Sequence, residues 1–546
     1  MTEYDLGHYG RTVTTTRADA QLWFDRGLVW TYAYNHEEAV VCFEEAVKAD
    51  PACAMAHWGI AYALGPNYNK PWEAFEPDEK PDALERARAA LEAASNAATN
   101  PVEQAFIEAL SERYPASADV ESFDPWNDAY ADAMRAVHRA HPHDLDVTAL
   151  FAEAIMNRTP WQLWDLATGE PKQGADTAEA IAVLDRAFES QEQAWRHPGL
   201  LHMYIHLMEM SPHPERALRH GDALTTLVPD AGHLVHMATH IDALCGDYQN
   251  VVARNQAAVM VDRKYLAHRG AENFYSVYRC HNYHFVIYGA MFLGQPEPAL
   301  AAADELIETL PAETLRPMAD WFEGFVPMRQ HVLIRFGMWE AILEQSLPED
   351  VGLFCVTTAM LRYARTVAFA NLGRTADAAR ELQAFREALD AVPESRMLFN
   401  NTCRDILAVA ERMAESELAY HQRRYEDAFA SLRDAVRMDD TLPYDEPWAW
   451  MQPARHALGA LLLEQGRTDE AEAVYRADLG LDPTLARACQ HPDNIWSLHG
   501  LVECLERRGA SGDLETRLLR QRLDRALARA SVEIKASCYC RGRQAA

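Results

Sequence analysis

The sequence predicts an all-α chain built from repeated helix hairpins. Three observations carry this expectation. Apolar residues recur at spacings of three and four along almost every segment, the period of a helix face. Alternating apolar and polar runs, the signature of strands, are nearly absent. Prolines fall between the periodic segments, where they cost the helices no interior hydrogen bond.

The repeat unit is legible near both ends of the chain. In QLWFDRGLVWTYAYNHEEAVVCFEEAVKADP, Gly27 is followed by Ala39, Phe43 and Pro51. In LGALLLEQGRTDEAEAVYRADLGLDP, Gly459 is followed by Ala471, Tyr475 and Pro483. The offsets are +12, +16 and +24 both times. Small residues let two helices approach, the aromatic fills the space between them, and proline stops the second helix. The pattern resembles the tetratricopeptide (TPR) repeat, a helix pair of about 34 residues. This resemblance implies a TPR-like right-handed α-solenoid of helix hairpins, with roughly 20–25 helices.

The expected organisation is one continuous solenoid over 1–546. It comprises an N-terminal repeat pair at 18–99, degenerate repeats at 100–190, histidine-rich repeats at 197–311 and further repeats at 312–531. Two stretches rich in Pro, Gly and aromatics, KPWEAFEPDEKPD and TPWQLWDLATGEPKQG, read as ordered loops over a groove. The second lies in the loop 158–174.

The net charge of −31 works against nucleic-acid binding, which needs a compact basic surface. No run approaches the roughly 18–20 apolar residues of a membrane span, and the polar start of the chain has no apolar leader core. A cytoplasmic protein is expected. The ten cysteines are scattered without a CxxC pair, so reduced core thiols are expected for most of them. Cys538 and Cys540 alone are close-spaced, a weak pair for a soft metal. Nucleotide-binding glycine motifs, the GxSxG nucleophile and HExxH are all absent.

Histidine carries the functional signal. His206, His213, His220, His233, His236 and His240 crowd into 206–248, with His197 and His202 just before. The TPR resemblance implies that repeat positions 2, 5, 9 and 12 line the concave groove. Ala217 and Pro229 set one repeat to start at 198, the GDY turn at 246–248 sets the next at 232, and Gly294, Ala299 and Pro311 set a third at 280. His202 and His206 then fall at 5 and 9, His233, His236 and His240 at 2, 5 and 9, and His281 and His284 at 2 and 5. Seven of nine groove slots are histidine, where composition alone would give fewer than one. Glu209 at position 12 and Tyr288 at position 9 share that face. His197, His213 and His220 fall outside the register and read as surface or cap residues.

Imidazoles at i, i+4 on one helix are a common metal platform. His202, His206, His233, His236, His240, His281 and His284 are therefore candidate metal ligands, with Glu209 and Tyr288 as candidate catalytic groups. A site rich in imidazole and poor in carboxylate favours copper or iron, with zinc possible. The first functional reading is a transition-metal-dependent oxidoreductase acting on a small organic molecule in the concave groove. A zinc hydrolase with Glu209 as base is one alternative. A binding module that reads a peptide or small ligand without catalysis is the other. The segments NHEEA, GIAYALGPN, HMYIH, SPHPERA, GHLVHM, HNYHF and YDEPWAW also resemble a histidine-rich group of bacterial TPR proteins. That likeness implies a shared site and names no reaction.

Overall fold

The computed structural model describes residues 4–97 and 99–541. Among the described residues the chain is all-α, with 27 α-helical segments. The single sheet is a two-residue antiparallel hairpin, Met397–Leu398 with Asn401–Thr402. The helices form TPR-like hairpins, as the periodicity and repeat offsets predict.

The chain divides into two compact units. The first holds the described residues up to Ile241, with 260–265 and 273–275. Its helices include α1 (Ala18–Tyr32), α2 (His36–Ala49), α3 (Ala54–Ala63), α4 (Leu145–Met156), α5 (Pro198–Glu209) and α6 (Gly232–His236). Helix α7 (Ala238–Leu244) starts in this unit. Phe43 of α2 is fully buried and fills the space between α1 and α3. A Cβ at Gly27 or Gly59 would fall 2.6 or 2.5 Å from its ring carbons, so both helices need glycine to close on it.

The second unit holds the remaining described residues. It contains α8 (Ser276–Leu293), α9 (Met328–Arg335), α10 (Cys355–Asn371), α11 (Cys403–His421), α12 (Ala454–Glu464), α13 (Thr468–Asp478) and α14 (Ile495–Arg507). Here Tyr475 takes the part of Phe43, with Gly459 and Gly500 closing on its ring.

One feature of the hairpin turns bears on the site. One or two residues past the first helix of a pair the backbone adopts positive φ, and Gly246, Gly294, Gly337, Gly373, Gly466 and Gly509 hold this place. Glycine is expected there, because a side chain in the left-handed region costs about 1–2 kcal/mol. Tyr34 (φ 55°) and Arg423 (φ 62°) stand at the same place in their own turns. The two turns close with the same backbone bond, Asn35 N to Trp30 O and Arg424 N to Ala419 O.

The cysteines follow expectation except at the C-terminal end. Seven of the eight free thiols are buried. Cys538 and Cys540 are joined in a disulfide, which removes them as thiolate donors.

Candidate metal centre

Helix α5 begins where His197 caps it, its Nδ1 accepting from Leu200 N, and Pro198 occupies the first turn. The His197 ring is fully buried and its Nε2 lies 3.3 Å from Asp146 of α4. Asp146 also accepts from Tyr9, Tyr32 and Arg11, and its carboxyl is held well below the usual range despite burial, His197 and Arg11 opposing the desolvation. This network fixes the entry to α5. Every residue of α5 is buried, so no face of it is left to water.

Glycine then sets the approach of α1. A Cβ at Gly199 would lie 2.5 Å from the Tyr32 ring, so only glycine lets the end of α1 reach α5. That closeness brings the Tyr32 carbonyl to His202, whose Nδ1 donates to it at 2.7 Å. A carbonyl only accepts, so the His202 proton sits on Nδ1 and its Nε2 presents a lone pair.

The same logic repeats around the cluster. His206 Nδ1 donates to Glu209 Oε1 at 2.9 Å, and His240 Nδ1 donates to Glu209 Oε2 at 2.8 Å. Glu209 is fully buried between them. Thr239 donates its one hydroxyl proton to the His236 carbonyl at 2.7 Å, and its oxygen lies 3.2 Å from His236 Nδ1. That oxygen then accepts from Nδ1, which leaves His236 Nε2 without a proton as well. In four imidazoles the outward nitrogen is the donor and the inward one is bare, the arrangement that carboxylate and carbonyl partners impose on metal-bound histidine.

The inward Nε2 atoms converge. His236 Nε2 and His240 Nε2 are 2.7 Å apart, and His202 Nε2 and His233 Nε2 are 3.2 Å apart. Each contact is held either by a proton on one of the two nitrogens or by a cation shared between them. Two donors bound tetrahedrally at about 2.0–2.1 Å stand about 3.3 Å apart. Ligand nitrogens of His202, His206 and His233 all lie within 4.8 Å of one another. His206 Nε2 is buried with no hydrogen-bond partner. Burial, reinforced by neighbouring imidazoles, holds His202, His206 and His233 well below the usual imidazole range, so they are neutral at pH 7.

Aromatic side chains wall this group. The Tyr34 ring lies 4.5 Å from His202 and stacks at 5.9 Å on His206 and 5.8 Å on His233. Tyr68 lies 5.0 Å and Trp161 5.7 Å from His206. Trp161, like Tyr34, is held at positive φ (59°). It belongs to the 158–174 loop, and Trp164 of that loop donates to the Leu207 carbonyl of α5 at 2.7 Å. The loop thus lies on the helix that carries His202 and His206. Sequence reasoning missed Tyr34, Tyr68 and Trp161. Tyr34 alone had a signal, a tyrosine in a turn position where other hairpins carry glycine.

Five of the seven expected ligands lie in this first-unit cluster. His281 and His284 lie on α8 in the second unit. There Phe399, at φ 48° in the hairpin turn, packs 4.8 Å from His281. Tyr288 packs on Phe292 of the same helix, and burial with Asp478 and Asp439 raises its hydroxyl well above the usual value. His197 is a cap, as expected, and His213 is exposed beside Glu215. His220 departs from expectation. It is buried in an aromatic stack, 3.8 Å from Tyr204 and 4.7 Å from Trp195.

No protein-family model matches the chain. No curated protein matches it. Among solved structures it is similar to the APC/C hetero-tetramer Cut9–Hcn1, at 12% identity over 94% of this chain and 78% of that one, with a TM-score of 0.31. It is similar to the human IFIT1 dimer with PPP-AAAA, at 12% identity over 92% and 89%, with a TM-score of 0.30. It is similar to yeast Tom70, at 10% identity over 93% of each chain, with a TM-score of 0.28. The TPR-like character rests on the packing of Gly27 on Phe43 and Gly459 on Tyr475.

Proposed function

We propose that this chain is a transition-metal-dependent oxidoreductase on a TPR-like scaffold, acting on a small organic molecule. The observation that carries the metal reading is the set of anchored Nδ1 donors with bare Nε2 atoms turned inward. His202, His206 and His233 would hold one ion, and His236 with His240 would supply a second pair. Glu209, expected from sequence as a base or ligand, is assigned a positioning role, because each of its oxygens accepts from an imidazole. His281 and His284 as metal ligands, and Tyr288 as a catalytic phenol, are retained on the repeat register alone.

Neutral imidazoles suit copper or iron, with zinc the alternative. Bound copper or iron would supply the redox step. The residues of this chain orient the donors, and Tyr34, Tyr68 and Trp161 keep water from them. A cleft of about 360 Å³ in the first unit shares Tyr34 and Tyr275 with this centre, and Asn35, His36 and Lys70 also line it. Tyr275 accepts from His233 N and donates to Asp262, so one wall of the cleft also holds a histidine. The cleft is our proposed seat for the substrate. It also favours the second reading, a non-catalytic module that binds a small ligand. No helix among the described residues is long and apolar enough to cross a membrane, and the cytoplasm is our proposed location.

The test is elemental analysis of untagged protein, as isolated and after reconstitution with Cu, Fe, Zn and Mn. Copper or iron near one or two equivalents supports the oxidoreductase, and zinc alone moves the reading to a hydrolase. No metal under any condition overturns the metal reading and leaves the binding module.

A further inference from the structure

A group of soft donors lies together in the second unit. Met328 and His331 of α9, Met360 of α10 and Cys403 of α11 line one cavity of about 20 Å³. Met328 and His331 are three apart on one helix, so they share a face. A void of this size has room for one water or one ion. A water needs two to four polar partners, and the rest of the wall is apolar, from Val356, Leu398 and Ile406. Methionines at helical spacing ordinarily fill a core, and here two of them line a cavity.

His331 is the second observation. It is 2% exposed, its Nδ1 has no hydrogen-bond partner, and its ring stands edge-on to Trp450 at 5.0 Å. Leaving a buried nitrogen unsatisfied is unfavourable unless something coordinates it. Burial pushes the Cys403 thiol well above its usual value, which keeps it protonated and leaves it as wall and not as a donor. Beside the cavity, His284 Nε2 lies 2.8 Å from Met451 Sδ, and the nearby Ala449 is part of the cavity wall.

We propose that this cavity is a second metal site, for a soft monovalent cation of the Cu(I) class, bound by His331 and the thioether sulfurs of Met328 and Met360. Thioether and imidazole donors without a carboxylate match Cu(I) and serve hard divalent ions poorly. The site shares no ligand with the first-unit histidine cluster; His284, retained above on the repeat register alone, is its neighbour.

The experiment is anaerobic Cu(I) titration against a chromophoric Cu(I) chelator. It compares the wild type, a Met328→Leu/Met360→Leu variant and a His206→Ala/His240→Ala variant. Leucine conserves volume, and far-UV circular dichroism checks the fold. The methionine variant should lose about one tight Cu(I) equivalent. The histidine variant should keep that equivalent, and its copper X-ray absorption should show sulfur scatterers. Equal tight binding by wild type and a folded methionine variant overturns the site. So does a spectrum with nitrogen and oxygen scatterers only, which decides the matter even if the methionine variant does not fold. Loss of this equivalent in the histidine variant would also count against an independent site.

Discussion

Replacing Glu209 by Gln tests the inward-facing histidines at their common support. The carboxylate accepts from His206 Nδ1 at 2.9 Å and from His240 Nδ1 at 2.8 Å. An amide of the same shape has one acceptor and one donor. One of the two imidazole N–H groups would then face an NH₂. The conflict is relieved when that ring moves its proton to Nε2, which removes one bare nitrogen from the centre. Loss of a partner that fixes a ligand's tautomer typically costs 10–100-fold in metal affinity, about 1.4–2.8 kcal/mol. Glu209→Ala should cost more, because both N–H groups are then left buried without an acceptor. The assay is Zn(II) competition against a chelating chromophore at pH 7.5, with circular dichroism as the check on folding. An affinity within about threefold of wild type in a folded Glu209→Gln protein would refute the positioning role and the tautomer assignment behind it.

Three further outcomes follow from particular contacts. Gly199→Ala sets a Cβ 2.5 Å from the Tyr32 ring, so it should destabilise the fold by about 1–3 kcal/mol by chemical denaturation and also weaken metal binding, because Tyr32 carries the acceptor for His202. Arg423→Gly relieves an exposed left-handed residue and should raise stability by about 1 kcal/mol, seen as a higher melting temperature. His220 is buried in its aromatic stack and lowered to about 4, mainly by desolvation. The unfolded imidazole takes its proton near 6.5, so between about 6.5 and 4 the unfolded state binds more protons and stability falls as pH falls, by at most about 1.4 kcal/mol per pH unit. His220→Phe should flatten that part of the melting profile, and an unchanged pH dependence would count against the assignment.

Much of the architecture was legible because local rules agree with it. The three-and-four periodicity and the Gly27–Phe43 and Gly459–Tyr475 spacings point to hairpins, and the packing bears them out. The repeat register also selected His202, His206, His233, His236 and His240, which the structure gathers in one unit. What escaped was set by contacts distant in sequence. The acceptor of His202 is the Tyr32 carbonyl, 170 residues away, and a backbone oxygen leaves no mark in a side-chain pattern. Trp161 reaches His206 from a loop that has no repeat register to read. His220 follows no groove position, yet its neighbours Tyr204 and Trp195 make an aromatic stack of it. The division into two units is equally invisible to a periodic pattern, because each hairpin looks alike from within.

The central claim is that Nε2 atoms of His202, His206 and His233 share a metal ion. Anomalous difference density from a crystal of the untagged, metal-reconstituted protein, collected above and below the absorption edge, tests it most directly. The account predicts an edge-dependent peak about 2.0–2.1 Å from those nitrogens. No peak there in a crystal whose elemental analysis shows bound metal, or a peak held by other residues, would contradict it.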